Sequence, residues 1–275
     1  MTLISYAKRD GDLSSTLDEL FAEYVPSVFT AALRNKDVRI NGVRTGDRRA
    51  LVKAGDEIKV YCSDKKREIY STVYEDDDVL IADKEAQVSS EGLFEFLRKK
   101  GETYFIHRLD RNTEGLIVFA KSKEYEEILL RAFREKSVRK FYEAVAVGKT
   151  AEQKAVLTAY LVKDGNNSEV RVFDTPQAGG VQIKTGYEVL KTNGKLSLLK
   201  IELFTGKTHQ IRAHLAHIGH PVLGDGKYGD KAQNAAYNLK RQLLISKSLT
   251  FVSTGTHLDG KTFSSAKTNA KYLGE

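Results

Sequence analysis

Residues 140–148 read KFYEAVAVG, and behind them follow AVLTAY at 155–160, EVRVF at 169–173, QIKTGYEVL at 182–190 and LSLLKIELF at 196–204. Each run is short, rich in Val, Leu, Ile, Tyr or Phe, and set off by Gly, Asn, Asp and Lys, which is how strands are punctuated. No helix-length apolar period separates one from the next. Strands that arrive in series, without regular alternation with helices, predict an α+β protein built on a mixed, mostly antiparallel sheet flanked by helices. Two further strands are expected upstream, VLIA at 79–82 and the fully apolar LIVFA at 116–120. Helices are expected at 92–100, 123–136 and 208–218, the second with Ile128, Leu129, Ala132 and Phe133 on one face. A last strand is expected at 242–251. The polar tail from Ser253 is expected to fray.

The first sixty residues read as a unit of their own. Leu17, Leu20, Phe21 and Tyr24 have helical spacing behind Ser15 or Thr16 as an N-cap, and Ser27 is expected to cap a second helix through Leu33. Val38-Arg39-Ile40 and Val43-Arg44-Thr45 flank Asn41-Gly42, a strong hairpin signal. Glu57–Tyr61 is the next strand. Arg34, Lys36, Arg39, Arg44, Arg48, Arg49 and Lys53 crowd around the hairpin. On one face they would bind a phosphate backbone; the alternative is a solvated loop face. The charged stretch from Ser63 to Glu68 reads as a linker. The expected division is therefore 1–62, a linker at 63–69, and 70–275.

With 275 residues and 41% apolar content the chain can bury a substantial core. No apolar run approaches the roughly 18 residues that span a bilayer, and the N-terminus lacks a signal peptide's apolar block. A single cysteine, Cys62, excludes an intramolecular disulfide and any multi-cysteine metal site, and fits a reducing cytoplasm. The net charge of +7 favours a polyanionic partner; the alternative is a soluble protein that happens to be basic. Nothing demands more than a monomer.

The chemistry points to HRLDRNTEG at 107–115. It sets Asp110 between Arg108 and Arg111, on a turn that feeds the 116–120 strand. A carboxylate flanked by positive charge stays ionised and can act on an anionic partner that the arginines hold. Taken alone, an Asp between arginines is more often a surface ion pair than a catalyst.

Four segments in order resemble the RluA family of pseudouridine synthases: HRLDRNTEGLIVFAK at 107–121, KFYEAVAVG at 140–148, GKTHQIRAHL at 206–215, and GHPVLGD at 219–225 with KYG at 227–229. Residues 33–61 resemble an S4-type RNA-binding domain. Together the resemblance covers roughly residues 15 to 250 and implies a small S4-like αα-β domain ahead of a larger catalytic domain. It implies isomerisation of uridine in structured RNA, ribosomal RNA before transfer RNA. It implies that Asp110 acts at the ribose, that Arg212 pairs with Asp110, and that Tyr142 lies against the uracil and shuttles the C5 proton. Arg108 would fill the gap left by an extruded nucleotide. His107, Arg111, Lys207, His209 and Gln210 would face RNA, and Leu116 and Ile117 would wall the pocket. No metal and no cofactor are implied.

Blander readings compete at several positions. His209, His214, His217 and His220 invite a metal, but their spacing offers one helical pair at most and no acidic ligand falls at a suitable offset. Asp76-Asp77-Asp78 fits an acidic turn as well as a cation site. Gly224, Gly226 and Gly229 lack the preceding strand of a dinucleotide fingerprint. Tyr142 in an alternating strand is ordinarily core. Two positions depart from the family pattern: Lys207 stands where Arg is common and Glu114 where Ser is common. Lys keeps the charge and loses the bidentate fork. The competing functions are a non-catalytic RNA-binding assembly factor and a nucleoside hydrolase that releases uracil.

Overall fold

The computed structural model describes residues 2–21, 24, 26–62, 68–164 and 169–274. The chain divides into two compact units, Met1–Ile69 with Glu91–Glu102, and Tyr70–Ser90 with Thr103–Glu275. The boundary at Ile69 falls at the end of the expected linker, whose residues 63–67 lie outside the described residues. That 91–102 groups with the first unit was not foreseen.

In the first unit, β1 (Thr2–Tyr6), β2 (Gly11–Asp12), α1 (Leu13–Leu20), α2 (Pro26–Arg34), β3 (Val38–Ile40), β4 (Val43–Thr45), β5 (Leu51–Val52) and β6 (Glu57–Tyr61) form a four-stranded antiparallel sheet of order β1-β6-β3-β4 and a β2-β5 pair. The 91–102 segment adds most of α3 (Ser90–Arg98). The hairpin lies where Asn41-Gly42 put it. Both turn residues have positive φ, 49° and 82°, as a type I′ turn needs. The Asn41 amide also accepts from Glu57 N–H at 2.8 Å and donates to Asp56 at 2.7 Å, tying the turn to β6.

Two caps differ from expectation. Asp12 is the N-cap of α1, accepting from Ser15 N–H at 3.0 Å, so the helix starts before Ser15 and Thr16. α2 starts at Pro26, one residue ahead of Ser27, in keeping with proline's fixed φ at a first helical position. Leu13, Leu17, Phe21, Phe29, Leu33, Val38, Ile58 and Val60 make this unit's core.

The second unit is built from β7 (Tyr70–Glu75), β8 (Val79–Lys84), β9 (Tyr104–Phe105), β10 (Glu114–Ala120), α4 (Lys123–Arg134), β11 (Val138–Val147), β12 (Lys154–Lys163), β13 (Val170–Phe173), β14 (Val181–Thr192), β15 (Leu196–Leu203), α5 (Gln210–His217), α6 (Lys231–Ala236), β16 (Leu244–Phe251) and β17 (Thr262–Ser264). One sheet runs β13-β12-β14-β15-β11-β16-β10-β8-β7, with β9 on β10 and β17 on β16. Every described pairing is antiparallel except β10 with β16, so the α+β class with a mixed, mostly antiparallel sheet is the one found. The acidic triplet 76–78 is the turn between β7 and β8.

β10 is buried from Gly115 to Ala120. Leu116 and Val118 pack with Leu129 and Ala132 of α4 and with Leu249 and Phe251 of β16. The α4 N-terminus is capped by Ser122 and carries Glu124 and Glu126, while Arg131 and Arg134 sit in its last turn, each charge complementing the helix dipole. Where the parallel pair begins, Gly115 has φ +102°, and a Cβ there would lie 2.3 Å from the Ser246 carbonyl oxygen. Only glycine lets the strand approach that closely.

The tail does not fray. β17 pairs with β16, Leu258 and Leu273 are buried, and Lys267 bridges Asp83 at 2.6 Å and Glu85 at 2.8 Å. Buried carboxylates at Asp83 and Glu143 anchor a segment that carries few apolar residues of its own.

Candidate active site

The loop carrying Asp110 is held on both sides. Leu109 exchanges two 2.9 Å hydrogen bonds with the Ser90 hydroxyl, one through its N–H and one through its carbonyl. Thr113 N–H donates to the Asp110 carbonyl at 3.0 Å, and Thr113 Oγ1 accepts from the buried Gln242 amide at 3.0 Å. The Lys84 ammonium is fully buried and donates to the carbonyls of Glu85, Val88 and Arg111 at 3.0, 2.8 and 3.3 Å. A backbone tied down this way holds its side chain in one place, which a reacting group needs.

Asp110 opens into a cleft of about 560 Å³ that lies wholly within the second unit. Arg212 Nη1 donates to Asp110 Oδ2 at 2.8 Å, while Arg212 Nε and Nη2 donate to the two oxygens of Asp225 at 2.7 and 2.8 Å. The Asp225 side chain has no exposed surface, and it also accepts from the N–H groups of Lys227 and Tyr228 at 2.8 and 3.1 Å. Burial would raise Asp225's pKa, but Arg212's hydrogen bonds and charge, with those two N–H groups, hold it below the ordinary carboxylate value. Burial would lower Arg212's pKa; Asp225 and then Asp110 outweigh it and push it up. Arg212 is therefore a permanent cation shared between two acids. Its planar fork makes this possible, as a lysine could not.

Tyr142 comes from β11 and lines the same cleft. Burial, with the Asp110 charge adding, pushes its phenol well above the ordinary value, so it is a neutral O–H at any working pH. Apart from Asp110 the charged residues of the lining are all basic: Arg108, Arg134, Lys136, Lys140, Lys207 and Arg212. Leu109, Phe133, Leu203, Phe204, Ile211 and Leu244 supply its apolar surface. One carboxylate inside a basic, partly apolar cleft suits a polyanion with a flat ring.

The structure thus brings together Asp110, Tyr142, Arg212, Arg108, His107, Lys207, His209 and Gln210. Some expectations need correction. Leu116 and Ile117 do not wall the cleft: both are fully buried within the sheet, because β10 runs into the core directly after Gly115. Gln210 borders the cleft, but its amide is used inside the protein. It accepts from Thr205 Oγ1 and Lys207 N–H and donates to Lys184 O and Thr185 Oγ1, between 2.9 and 3.2 Å. His107 accepts from Val118 N–H at 3.1 Å and stacks on Phe133 at 4.6 Å; burial and the neighbouring Lys140 charge push its pKa down to about 3. Arg111 is not part of the lining and donates to Gln87 O at 3.1 Å. Glu114 forms an ion pair with Arg241, which answers the charge placed where Ser is common.

The remaining histidines have separate partners. His214 meets Thr185 Oγ1 at 3.0 Å, His217 meets Asp174 at 2.7 Å, and His220 donates to Val147 O at 3.0 Å. Among the described residues no three His, Cys, Asp or Glu are grouped to hold a metal, and no helix is long and apolar enough to cross a membrane. Sequence reasoning gave Asp225 no role. The available signal was that an arginine on a mostly buried helix needs more than one distant acid.

The basic residues of the first unit are mostly exposed. Arg34, Lys36, Arg44, Arg48 and Arg49 are exposed, and the half-buried Arg39 guanidinium stacks 5.2 Å from the Tyr61 ring. Arg44 lies 3.5 Å from Asp37, and Arg48 donates to Thr30 at 2.7 Å.

A sequence profile of the family described as RNA pseudouridylate synthase matches residues 59–217. The chain belongs to that family. The RluA-type membership expected from the four segments is the one found. Ribosomal large subunit pseudouridine synthase C of Vibrio cholerae is 34% identical over 194 residues, covering 66% of this chain and 60% of that protein. The matched stretch thus spans less than two thirds of that relative. The protein of the same description from Salmonella typhimurium is 30% identical over 261 residues, covering 84% of this chain and 81% of the other. The solved structure of Human RNA Pseudouridylate Synthase Domain Containing 1 shares the fold, with a TM-score of 0.64 at 24% identity, over 74% of this chain and 86% of that one.

Proposed function

We propose that this protein isomerises uridine to pseudouridine in structured RNA, with large-subunit ribosomal RNA as the first substrate class. The observation that carries the proposal is the single carboxylate of the cleft, Asp110, hydrogen-bonded through one oxygen to an arginine that a second, buried acid holds in place. The reaction breaks the C1′–N1 bond, turns the base, and joins C5 to C1′; the C5 proton is lost and N1 gains one. The product has the same composition as the substrate, one proton being lost at C5 and one gained at N1, so no redox partner or cofactor is required. Asp110 acts at C1′ or on the neighbouring sugar proton. Tyr142, a neutral phenol, lies against the uracil and assists proton transfer at C5. Arg108 replaces part of the stacking lost when the nucleotide leaves the helix, a cost of about a few kcal/mol. The relatives' names support ribosomal RNA, as they specify the ribosomal large subunit.

The first unit is assigned an S4-like role: Arg34, Lys36, Arg39, Arg44, Arg48 and Arg49 hold RNA backbone while the cleft works on one nucleotide. Its exposed basic side chains support this. The protein acts as a cytoplasmic monomer.

The test uses in vitro transcripts of large-subunit ribosomal RNA labelled with tritium at uridine C5, since isomerisation releases that label. Wild-type protein should release it, and Asp110→Asn should not, although it still binds the transcript. Binding without release, from ribosomal or transfer RNA, would make the protein a non-catalytic factor. Free uracil would make it a hydrolase. Release from transfer RNA alone would overturn the ribosomal assignment.

A further inference from the structure

His209 is unusual in its backbone and in its surroundings. Its φ of 53° and ψ of 16° lie in the left-handed region, where Gly or Asn costs less. It occupies the N-cap position of α5 yet makes no side-chain capping bond. The strain has no local return through the helix, and residues held this way concentrate at functional sites. The conformation turns the imidazole into the cleft, with 16% of the side chain exposed and Nε2 4.0 Å from Asp110 Oδ1. Oδ1 is the carboxylate oxygen that Arg212 leaves alone, since Arg212 binds Oδ2.

The other ring nitrogen also has a partner. Nδ1 lies 2.9 Å from the Tyr228 hydroxyl, and Tyr228 Oη already accepts from Val170 N–H at 3.0 Å. With that donor in place, the Tyr228 O–H is free to donate to Nδ1, and in that arrangement the imidazole proton lies on Nε2, toward Asp110. Burial pushes His209's pKa below the ordinary histidine value; Asp110 opposes this, Arg212 and Lys227 reinforce it, and Asp225 opposes it. The ring is a neutral donor at neutral pH.

A separation of 4.0 Å is too long for a direct hydrogen bond. It is a span that one hydroxyl group can bridge, accepting from Nε2–H and donating to Oδ1. The hydroxyl next to the reacting C1′ is the 2′-hydroxyl, the group that separates RNA from DNA. We infer that His209 is a ribose-specificity residue: its Nε2–H binds the 2′-oxygen of the target nucleotide while Asp110 Oδ1 takes the hydroxyl's hydrogen bond, so that the enzyme reads RNA at the nucleotide it modifies.

This inference rests on the proposed isomerase activity. The test is a cycle on a synthetic RNA hairpin carrying the uridine located in the ribosomal-RNA experiment, made with ribose or with 2′-deoxyribose at that nucleotide only. His209→Asn and His209→Gly both suit the backbone, so melting temperatures should hold or rise. On the ribose form each variant should lose roughly tenfold in kcat/KM, the scale of one hydrogen bond. On the deoxy form each should match wild type. Where deoxy turnover is too slow to measure, the ratio of Kd values for the same two hairpins decides the question in the same way. Tyr228→Phe, which frees the tautomer, should give a smaller loss on the ribose form only. Equal losses on both forms would overturn the inference and leave His209 a structural residue. No label release by wild type on the ribose form would instead sink the isomerase reading itself.

Discussion

Asp225→Asn is the sharpest probe of how the cleft is assembled. The Asp225 carboxylate is fully buried, binds Arg212 through both oxygens, and accepts from two backbone N–H groups. Asparagine keeps the shape and one acceptor but puts an NH₂ against a guanidinium or a backbone N–H. Arg212 is then a buried cation with Asp110 as its remaining acid. Breaking one side of a buried pair costs roughly 3–5 kcal/mol, and the retained acceptor places Asn near the lower end, at about 3 kcal/mol. Urea unfolding with an unchanged m-value measures it. Because Asp225's pKa is lowered in the folded state, its contribution is present above the unfolded carboxylate value of about 3.9 and is lost as pH falls through the lower folded value. The variant should therefore show a flatter loss of stability below about pH 4 than wild type. Label release should fall with kcat more than with KM, because Asp110 loses its orientation while the RNA keeps its phosphate partners. A variant within about 0.5 kcal/mol of wild type, with an unaltered acid limb, would refute the shared-arginine account.

Two other outcomes follow from the same geometry. Lys84→Met should leave at least the Val88 and Arg111 carbonyls without their buried donor, at a cost of roughly 2–4 kcal/mol, and should lower label release by loosening the Asp110 loop; a melting temperature equal to wild type would contradict this. Changing Arg34, Lys36, Arg48 and Arg49 together to Ala should weaken RNA binding and reduce the slope of log affinity against log salt by about 0.7–0.9 for each phosphate no longer neutralised, while an unchanged slope would remove the first unit from the interface.

Much of the fold was legible because local signals agreed with the tertiary outcome. The 116–120 run is apolar on both faces, and the sheet buries both. Asn41-Gly42 took the turn its chemistry favours. β1 was missed because its period misleads: Ile4 and Tyr6 lie exposed while Leu3 is buried, so the apolar residues do not mark one face. The tail was misread because it is held by charge and hydrogen bonds, Lys267 on Asp83 and Asn269 N–H on Glu143, rather than by an apolar pattern. In the site, Asp110 and Arg212 stood out through segments resembling a family. Their pairing joins residues 102 apart, which no periodicity reports. The wall residues were misplaced for a geometric reason: adjacency to Asp110 in sequence put Leu116 and Ile117 nearby, while the chain turns down into the sheet and Leu203 and Leu244 reach the cleft from other strands, with Phe204 from the end of β15.

The division of Arg212's donors explains how a carboxylate can be steadied without being silenced. A bidentate arginine on Asp110 would orient it and also occupy both oxygens, withdrawing the electron pairs that the proposed reaction at the sugar requires. Here the Nε and Nη2 pair goes to Asp225, and Nη1 alone reaches Asp110, on Oδ2. Oδ1 is left facing His209 across 4.0 Å. The second acid holds the arginine so firmly that one hydrogen bond suffices to aim the first. With Arg212 committed to the two acids, the remaining positive charge of the lining comes from Arg108, Arg134, Lys136, Lys140 and Lys207. The buried Asp225 therefore sets both the direction and the open oxygen of Asp110 from outside the lining of the cleft.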